Sequence, residues 1–171
     1  MSSPLTVQDV IVAPPEPGQV LDFDAIFGRS APVEMEIGVG KGTFLLNRAR
    51  NYPDRNFFGV EWANKFFLYA ADRMARWGVT NVRLMRTDAS HLMRHAIPPG
   101  SLSMLHIYHP DPWPKKRHHR RRLIQPPFIA AACDAMQIGA RLAIQTDHAE
   151  YFEQIRAVLT AEPRLREIPF D

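Results

Sequence analysis

The sequence has little cysteine, no long apolar run and little net charge. The first two of these features exclude particular kinds of structure and site. One cysteine among 171 residues, Cys133, cannot form an internal disulfide or supply a cysteine-based zinc site. No segment approaches the roughly 18–20 apolar residues that cross a bilayer. The start, Met1-Ser2-Ser3-Pro4, lacks the basic-then-apolar order of a secretory signal. We therefore expect a cytoplasmic protein without a membrane span.

The formal net charge is only +3, but the positive charge is concentrated in one place. From Lys115 to Arg122 the chain reads Lys-Lys-Arg-His-His-Arg-Arg-Arg, while acidic residues are scattered singly elsewhere. Such clustering is an electrostatic footprint for a polyanion. We define this run as the basic segment, and it predicts contacts to nucleic acid through Arg117, Arg120, Arg121 and Arg122.

Short apolar or β-branched segments alternate with segments of helical period from Val33 onward. The predicted strands are Val33–Gly38, Asn56–Glu61, Asn81–Arg86, Leu102–Tyr108 and Arg141–Thr146. The predicted helices are Thr43–Arg50, Ala63–Trp77, Ala89–His95, Pro127–Met136 and Ala149–Leu159. This alternation favours parallel pairing through right-handed crossovers, so the predicted fold class is α/β: a three-layer sandwich around a mostly parallel, doubly wound, Rossmann-like sheet.

The N-terminal part of the chain differs from the rest in composition. Residues 1–30 are rich in proline and show little period, so we interpret them as a lead-in segment. Within it, Leu21–Phe27 has enough apolar residues for a short helix or strand that packs on the core. The main domain is predicted over residues 31–171.

Every predicted strand runs into an acidic residue near its carboxyl end. These residues are Glu36, Glu61, Asp88, Asp111 and Asp147. In an open parallel sheet, ligands bind outside the carboxyl ends of the strands, where the strand order reverses. The coincidence of five acidic strand ends predicts one binding site along that edge.

The turn after the first predicted strand indicates the kind of cofactor. Gly38, Gly40 and Gly42 give G-x-G-x-G, whereas the dinucleotide fingerprint needs a glycine where this chain has Thr43. Glu36, two residues before the first glycine, would repel a pyrophosphate and attract a sulfonium and an α-ammonium group. The pattern therefore favours S-adenosylmethionine over a nicotinamide dinucleotide, with Gly38 and Gly40 at the cofactor.

The remaining cofactor contacts follow from the next two strand ends. Glu61 stands about twenty residues after the glycine turn, where an acid can accept hydrogen bonds from both ribose hydroxyls. Asp88, or the backbone at Ala89, is placed to meet the adenine amino group, and Trp62 could form an apolar wall.

The segment after the fourth predicted strand is the most specific motif. Three prolines surround Asp111 and Trp113 and predict a stiff loop above the sheet edge. Here the chain resembles the tRNA (guanine-N7)-methyltransferase family, which has a nearly identical Pro-Asp-Pro-Trp-Pro-Lys-Lys-Arg-His-His block. The resemblance covers about two thirds of the chain, and its other matching segments are Glu36-Ile37-Gly38, Gly59-Val60-Glu61, Asn81-Val82-Arg83 and Thr146-Asp147.

The resemblance implies a class I S-adenosylmethionine-dependent methyltransferase that forms 7-methylguanosine in the variable loop of tRNA. It implies cofactor contacts at Glu36, Gly38, Glu61, Asp88 and Asp111. It also implies that Lys115 and Asp147 meet the substrate and that Asp111 is the catalytic candidate. The sequence departs from the family pattern in two places: His109 replaces an aromatic residue before the block, and the further strands and Thr-x-x-Glu-like motif expected after the last helix do not occur before Asp171.

The chemistry of guanine narrows the role of Asp111. Guanine N7 has a free lone pair, so Asp111 need not act as a base and can instead orient the purine and stabilise its developing positive charge. No metal is required, and His91 and His95 lack a third ligand nearby in sequence.

Two other functions stay open from the sequence. One is a methyltransferase for another RNA base or for a protein, and the other is a module that binds cofactor and RNA without activity. A nicotinamide oxidoreductase is disfavoured by Glu36 and Thr43. The sequence leaves the choice between monomer and homodimer open.

Overall fold

The computed structural model describes residues 4–169. Within them the strands are β1 (Ile11–Val12), β2 (Val33–Ile37), β3 (Asn56–Val60), β4 (Val82–Met85), β5 (Leu102–Tyr108) and β6 (Met136–Gln145). The α-helices are α1 (Val7–Val10), α2 (Phe23–Phe27), α3 (Thr43–Asn51), α4 (Asn64–Arg76), α5 (Ala89–His95), α6 (Pro126–Ala135) and α7 (Ala149–Thr160). A 3₁₀ helix, Lys116–Arg121, covers most of the basic segment. No helix of this part of the chain has both the length and the apolar character to cross a membrane.

The six strands form one sheet in the order β1-β4-β3-β2-β5-β6, with every neighbouring pair parallel. Phe57 packs in one buried cluster with side chains of α3 and α4, and Phe58 packs in another with side chains of α5 and α6. Because successive strand residues point to opposite faces, helices cover both faces of the sheet. The predicted three-layer, doubly wound fold is confirmed. Its strand order reverses between β2 and β5, which places a crevice at their carboxyl ends.

The last strand begins five residues earlier than predicted. Leu102 pairs with Met136 and Met104 pairs with Arg141, so the register shifts and residues 137–140 bulge out of the ladder. Gly139 lies in this bulge with φ of 84°, a conformation that glycine adopts without steric cost. The sequence predicts a connection at Gly139, between the helix Pro127–Met136 and the strand Arg141–Thr146; this prediction is wrong, because α6 leads directly into β6.

The N-terminal segment adds structure that the sequence analysis did not predict. β1 pairs with β4 through Ile11 and Leu84, which extends the sheet by one strand. A strand of two residues has no alternation to detect, so its sequence carries no periodic signal. The short element expected at Leu21–Phe27 is helix α2, whose Phe23 and Phe27 are buried against the sheet.

Gly59 in β3 leaves no room for a side chain. A Cβ at this position would lie 2.5 Å from Leu84 Cδ2, 2.7 Å from Val39 Cγ1 and 2.9 Å from Leu45 Cδ2. We expect Gly59→Ala to lower the free energy of unfolding by about 1–3 kcal/mol, the usual cost of overpacking. Urea denaturation measures this loss. Leu84→Val removes the nearest atom, so the double variant should lose less than the sum of the single variants, and additive losses would contradict this account.

Candidate active site

The chain turns from β2 into α3 through three glycines that have different surroundings. All three have positive φ, at 80° for Gly38, 51° for Gly40 and 70° for Gly42. A Cβ on Gly38 or Gly40 would meet nothing within 4 Å, whereas one on Gly42 would lie 2.9 Å from Met74 Cε. The first two glycines therefore line an open approach to the backbone, and the third lets α3 pack against α4.

Glu61, directly after β3, is fixed above this turn by two backbone donors. Its Oε2 accepts a hydrogen bond from Gly40 N at 2.9 Å, and its Oε1 accepts one from Ala63 N at 2.8 Å. A carboxylate oxygen has two acceptor positions, so each oxygen can accept a second hydrogen bond. This arrangement can bind a pair of adjacent hydroxyls.

Glu36 is buried beside Glu61 and is poorly satisfied. Only 4% of the residue is exposed, and none of residues 4–169 donates a hydrogen bond to its Oε2. Burial, assisted by the charge of Glu61, raises the pKa of the Glu36 carboxyl to about 8. A buried carboxyl without a partner is costly, and a cationic ligand would satisfy it.

The predicted adenine contacts lie at the start of α5. Asp88 caps this helix, because its Oδ1 accepts a hydrogen bond from His91 N at 2.7 Å. Asp88 and Ala89 also line a pocket of about 380 Å³ together with Arg120 and Arg121. The carboxyl end of β4 and the basic segment therefore meet at one cavity. Trp62, next to Glu61 in the chain, is 67% exposed, and its place in a cofactor wall stays a prediction.

The loop between β5 and the 3₁₀ helix has an unusual backbone. His109 has φ of 51° and Trp113 has φ of 43°, which is costly for residues that have a Cβ. The loop is held at Pro112, whose carbonyl oxygen accepts a hydrogen bond from Arg122 Nε at 2.7 Å. Asp111 is exposed on this anchored loop.

Arg122 differs from the other arginines of the basic segment because its side chain is buried. It is 3% exposed, donates to Gln154 Oε1 at 2.5 Å, and its guanidinium lies 4.8 Å from the centre of the Tyr151 ring. Although Arg122 lines the same pocket as Arg120 and Arg121, its guanidinium is buried and already donates within the protein, so its contact with the substrate stays a prediction. Its hydrogen bonds join the Asp111 loop to α7.

The other predicted substrate contacts are on the surface. These exposed residues are Lys115, Arg117, Arg120, Arg121 and Asp147. The Arg121 guanidinium lies 5.0 Å from the centre of the Trp113 ring. His109 Nδ1 is 3.6 Å from Asp147 Oδ1, so the residues that follow β5 and β6 lie close together.

A buried polar cluster beside Glu36 was not predicted. Glu34 is fully buried, and its carboxylate lies 2.7 Å from Arg48 Nε, 2.8 Å from Arg55 Nη1 and 2.9 Å from His106 Nε2. Burial by itself would raise the pKa of Glu34, but the hydrogen bonds from His106 and Arg48 lower it to about 2. The sequence signal that could have found this cluster is the pair of ionisable residues, Glu34 and His106, inside apolar strands.

Comparison with solved structures identifies the fold. A solved S-adenosylmethionine-dependent O-methyltransferase from Thermotoga maritima superposes with a TM-score of 0.60 at 19% identity, over 78% of this chain and 45% of that chain. A solved antibiotic-related methyltransferase superposes with a TM-score of 0.62 at 18% identity, over 81% of this chain and 71% of that chain. The fold is therefore that of Rossmann-like class I methyltransferases.

Sequence comparison then identifies the family. A family model described as "Putative methyltransferase" matches residues 30–170, and the chain belongs to this methyltransferase family. A tRNA (guanine-N(7)-)-methyltransferase of Alkalilimnicola ehrlichii is 42% identical over 151 residues, which are 88% of this chain and 64% of the relative. A tRNA (guanine-N(7)-)-methyltransferase of Mycobacterium avium is also 42% identical, over 153 residues, which are 90% of this chain and 59% of the relative. The family resemblance seen in the motifs is confirmed, and the chain spans about three fifths of the length of these curated relatives.

The pKa of Glu36 makes stability depend on pH in a defined direction. The unfolded chain ionises this carboxyl near its ordinary value of 4.5, whereas the folded protein retains the proton until about pH 8. The wild type should therefore lose stability between pH 4.5 and 8 relative to Glu36→Gln, which has no proton to lose. We expect similar unfolding midpoints at pH 4 and an advantage of about 2–5 kcal/mol for the variant at pH 8. Parallel stability curves over this range would contradict the assignment.

Neighbouring arginines of the basic segment should differ in their effect on stability. Arg122→Ala removes a buried guanidinium with hydrogen bonds to Pro112 and Gln154, so we expect a loss of about 2–4 kcal/mol in the free energy of unfolding. The matched control Arg121→Ala changes an exposed side chain and should cost less than about 0.5 kcal/mol. Urea denaturation of both variants gives the comparison, and equal losses would refute the assigned roles.

Proposed function

We propose that this protein transfers a methyl group from S-adenosylmethionine to N7 of a guanosine in tRNA, forming 7-methylguanosine. The observation that carries the proposal is the buried Glu36 carboxyl, whose unsatisfied oxygen lies beneath an open glycine turn. S-adenosylmethionine, when bound, supplies an activated methyl group on a positively charged sulfur. We assign the activity to the domain of residues 31–171, and the cytoplasmic location expected from the sequence is part of the same proposal.

The residues around Glu36 fit this cofactor better than a nicotinamide dinucleotide. Glu61 offers one further acceptor position on each oxygen to the ribose hydroxyls. Asp88 and Ala89 line the neighbouring pocket, where an adenine amino group would find an acceptor. A pyrophosphate near Glu36 would instead oppose ionisation of this buried carboxyl and offer it no cation, whereas the sulfonium and α-ammonium groups favour its ionised form.

The basic segment supports RNA as the second substrate. Its exposed cations lie beside the pocket that Asp88 lines, so a polyanion bound there would lie close to the proposed cofactor site. Among the classes of RNA, we choose tRNA because the curated relatives at about 42% identity bear the name tRNA (guanine-N(7)-)-methyltransferase.

Asp111 would act through its charge and its position. Guanine N7 attacks with a lone pair it already has, so no residue has to remove a proton from it. The Asp111 carboxylate can orient the purine and stabilise the positive charge that develops on it. Its loop is fixed by the hydrogen bond between Arg122 Nε and Pro112 O, which gives the carboxylate a defined place.

The proposal is tested by incubating undermodified tRNA with the protein and labelled S-adenosylmethionine, followed by mass analysis of the nucleosides. We expect labelled 7-methylguanosine. Label in another nucleoside would indicate a different base, label in protein would indicate a protein methyltransferase, and binding of both ligands without transfer would indicate a module without activity. Each of these three results would overturn the proposal.

The charge of Asp111 can be tested in the same assay. Asp111→Asn should keep the cofactor affinity but lose roughly 10²–10³ in the single-turnover rate, because one preorganised electrostatic group is removed. The control Asp72→Asn changes a half-exposed carboxylate that pairs with Arg76 on α4, and it should react at the wild-type rate. An unchanged rate for Asp111→Asn would exclude the catalytic role.

A further inference from the structure

The buried cluster beside Glu36 extends across two strands to the carboxyl edge of the sheet. Glu34 and Glu36 are two residues apart in β2, and His106 and Tyr108 are two residues apart in β5. Side chains at such spacing point to the same face of a sheet. Glu36 is the register partner of His106, and Tyr108 is the last residue of β5, at the place where the strand order reverses.

Three of these side chains form a continuous chain of hydrogen bonds. Glu34 Oε2 lies 2.9 Å from His106 Nε2, and His106 Nδ1 lies 2.9 Å from the Tyr108 hydroxyl. Arg48 and Arg55 hold Glu34 in its ionised form. An ionised carboxylate can only accept, so His106 Nε2 must have the hydrogen.

This tautomer of His106 determines whether the Tyr108 hydroxyl donates or accepts hydrogen bonds. In the tautomer that has its hydrogen on Nε2, His106 Nδ1 is an acceptor, so the single Tyr108 hydroxyl hydrogen is donated to it. The hydroxyl oxygen then has only acceptor positions left. The Phe44 ring, on the first turn of α3, lies 4.8 Å from both the His106 and the Tyr108 rings and packs against both.

The surroundings suit an acceptor that meets a cation. Tyr108 is half-buried next to the glycine turn, and burial, assisted by the charge of nearby Glu36, raises the pKa of the Tyr108 phenol. The phenol therefore stays protonated and neutral. A cationic donor between the two residues would meet one carboxyl and one neutral acceptor.

We propose that Tyr108 is a cofactor-binding residue whose hydroxyl oxygen, kept as an acceptor by His106 and Glu34, accepts a hydrogen bond from the α-ammonium group at the methionine end of S-adenosylmethionine. This inference rests on the proposed function, because it deepens the description of the same site. Glu34 and His106 are positioning residues that act through Tyr108.

Calorimetry on the full chain with three ligands tests this role. We expect Tyr108→Phe to weaken binding of S-adenosylmethionine and S-adenosylhomocysteine by about tenfold or more, because both have the α-ammonium group. Binding of 5′-methylthioadenosine, which lacks the amino-acid end, should not change. The matched control Tyr69→Phe removes an exposed hydroxyl on α4 and should leave all three affinities unchanged.

A variant of His106 separates positioning from simple structural support. Glutamine can place an amide donor near the position of Nε2, so His106→Gln keeps a partner for Glu34 but removes the acceptor for Tyr108. We expect S-adenosylmethionine affinity to fall about three- to tenfold with 5′-methylthioadenosine again unaffected. In the double variant with Tyr108→Phe, the losses should be less than additive.

Three results would overturn the inference. They are wild-type affinity for S-adenosylmethionine in a folded Tyr108→Phe variant, an equal loss of affinity for 5′-methylthioadenosine, and an Nδ1-protonated His106 in ¹⁵N-histidine spectra of the ligand-free protein. Failure of the proposed function has a different signature. Wild-type protein that binds S-adenosylmethionine but leaves tRNA guanosine unmethylated would overturn that function, and the Tyr108 comparison would still decide this inference.

Discussion

A carboxyl group buried inside a parallel sheet is stable only if it is protonated or paired with a cation. β2 contains two such groups, and their charges are compensated in different ways. Glu34 is surrounded by Arg48, Arg55 and His106, so it is ionised and satisfied within the protein. Glu36, two residues further on, has an unsatisfied oxygen and a pKa raised to about 8. The first carboxyl contributes to the fold, whereas the second is costly until a cation reaches it. The chemistry of the site depends on this difference.

The neighbouring strand β3 also shapes the surroundings of Glu36. Gly59 is the register partner of Glu36 in β3, and the absence of a side chain there lets Val39 and Leu45 approach the sheet closely. That close approach brings the glycine turn down over the strand ends, where Gly40 N donates to Glu61. Gly59 in β3 thus determines how closely the glycine turn approaches Glu36 in β2.

Sequence reasoning found the features that depend on local order along the chain. The strand–helix alternation predicted the layers and the parallel sheet, and the strand-end rule identified Glu36 and Glu61, which the structure brings together. It could not find the partnership of Glu34 and His106, because 72 residues separate them and only the pairing of β2 with β5 makes them neighbours. It also missed β1, whose two residues show no period, and the bulge in β6, whose extra residues are visible only against the register of β5.

The charged residues of the basic segment have two different roles, because the 3₁₀ helix directs some of them inward and others to the surface. In a 3₁₀ helix, side chains three residues apart lie on the same side. His119 and Arg122 have this spacing, and both approach Glu150 of α7, with His119 Nε2 at 3.4 Å and Arg122 Nη2 at 3.5 Å from its Oε1. Arg117 and Arg120 have the same spacing on another side and are exposed. Arg122 fastens the segment and the Asp111 loop to α7 through its hydrogen bonds to Pro112 and Gln154, so the outward pair has a fixed position relative to that loop. A phosphate held by the outward arginines would therefore be placed at a set distance from Asp111, which is the geometry that orienting a purine base requires.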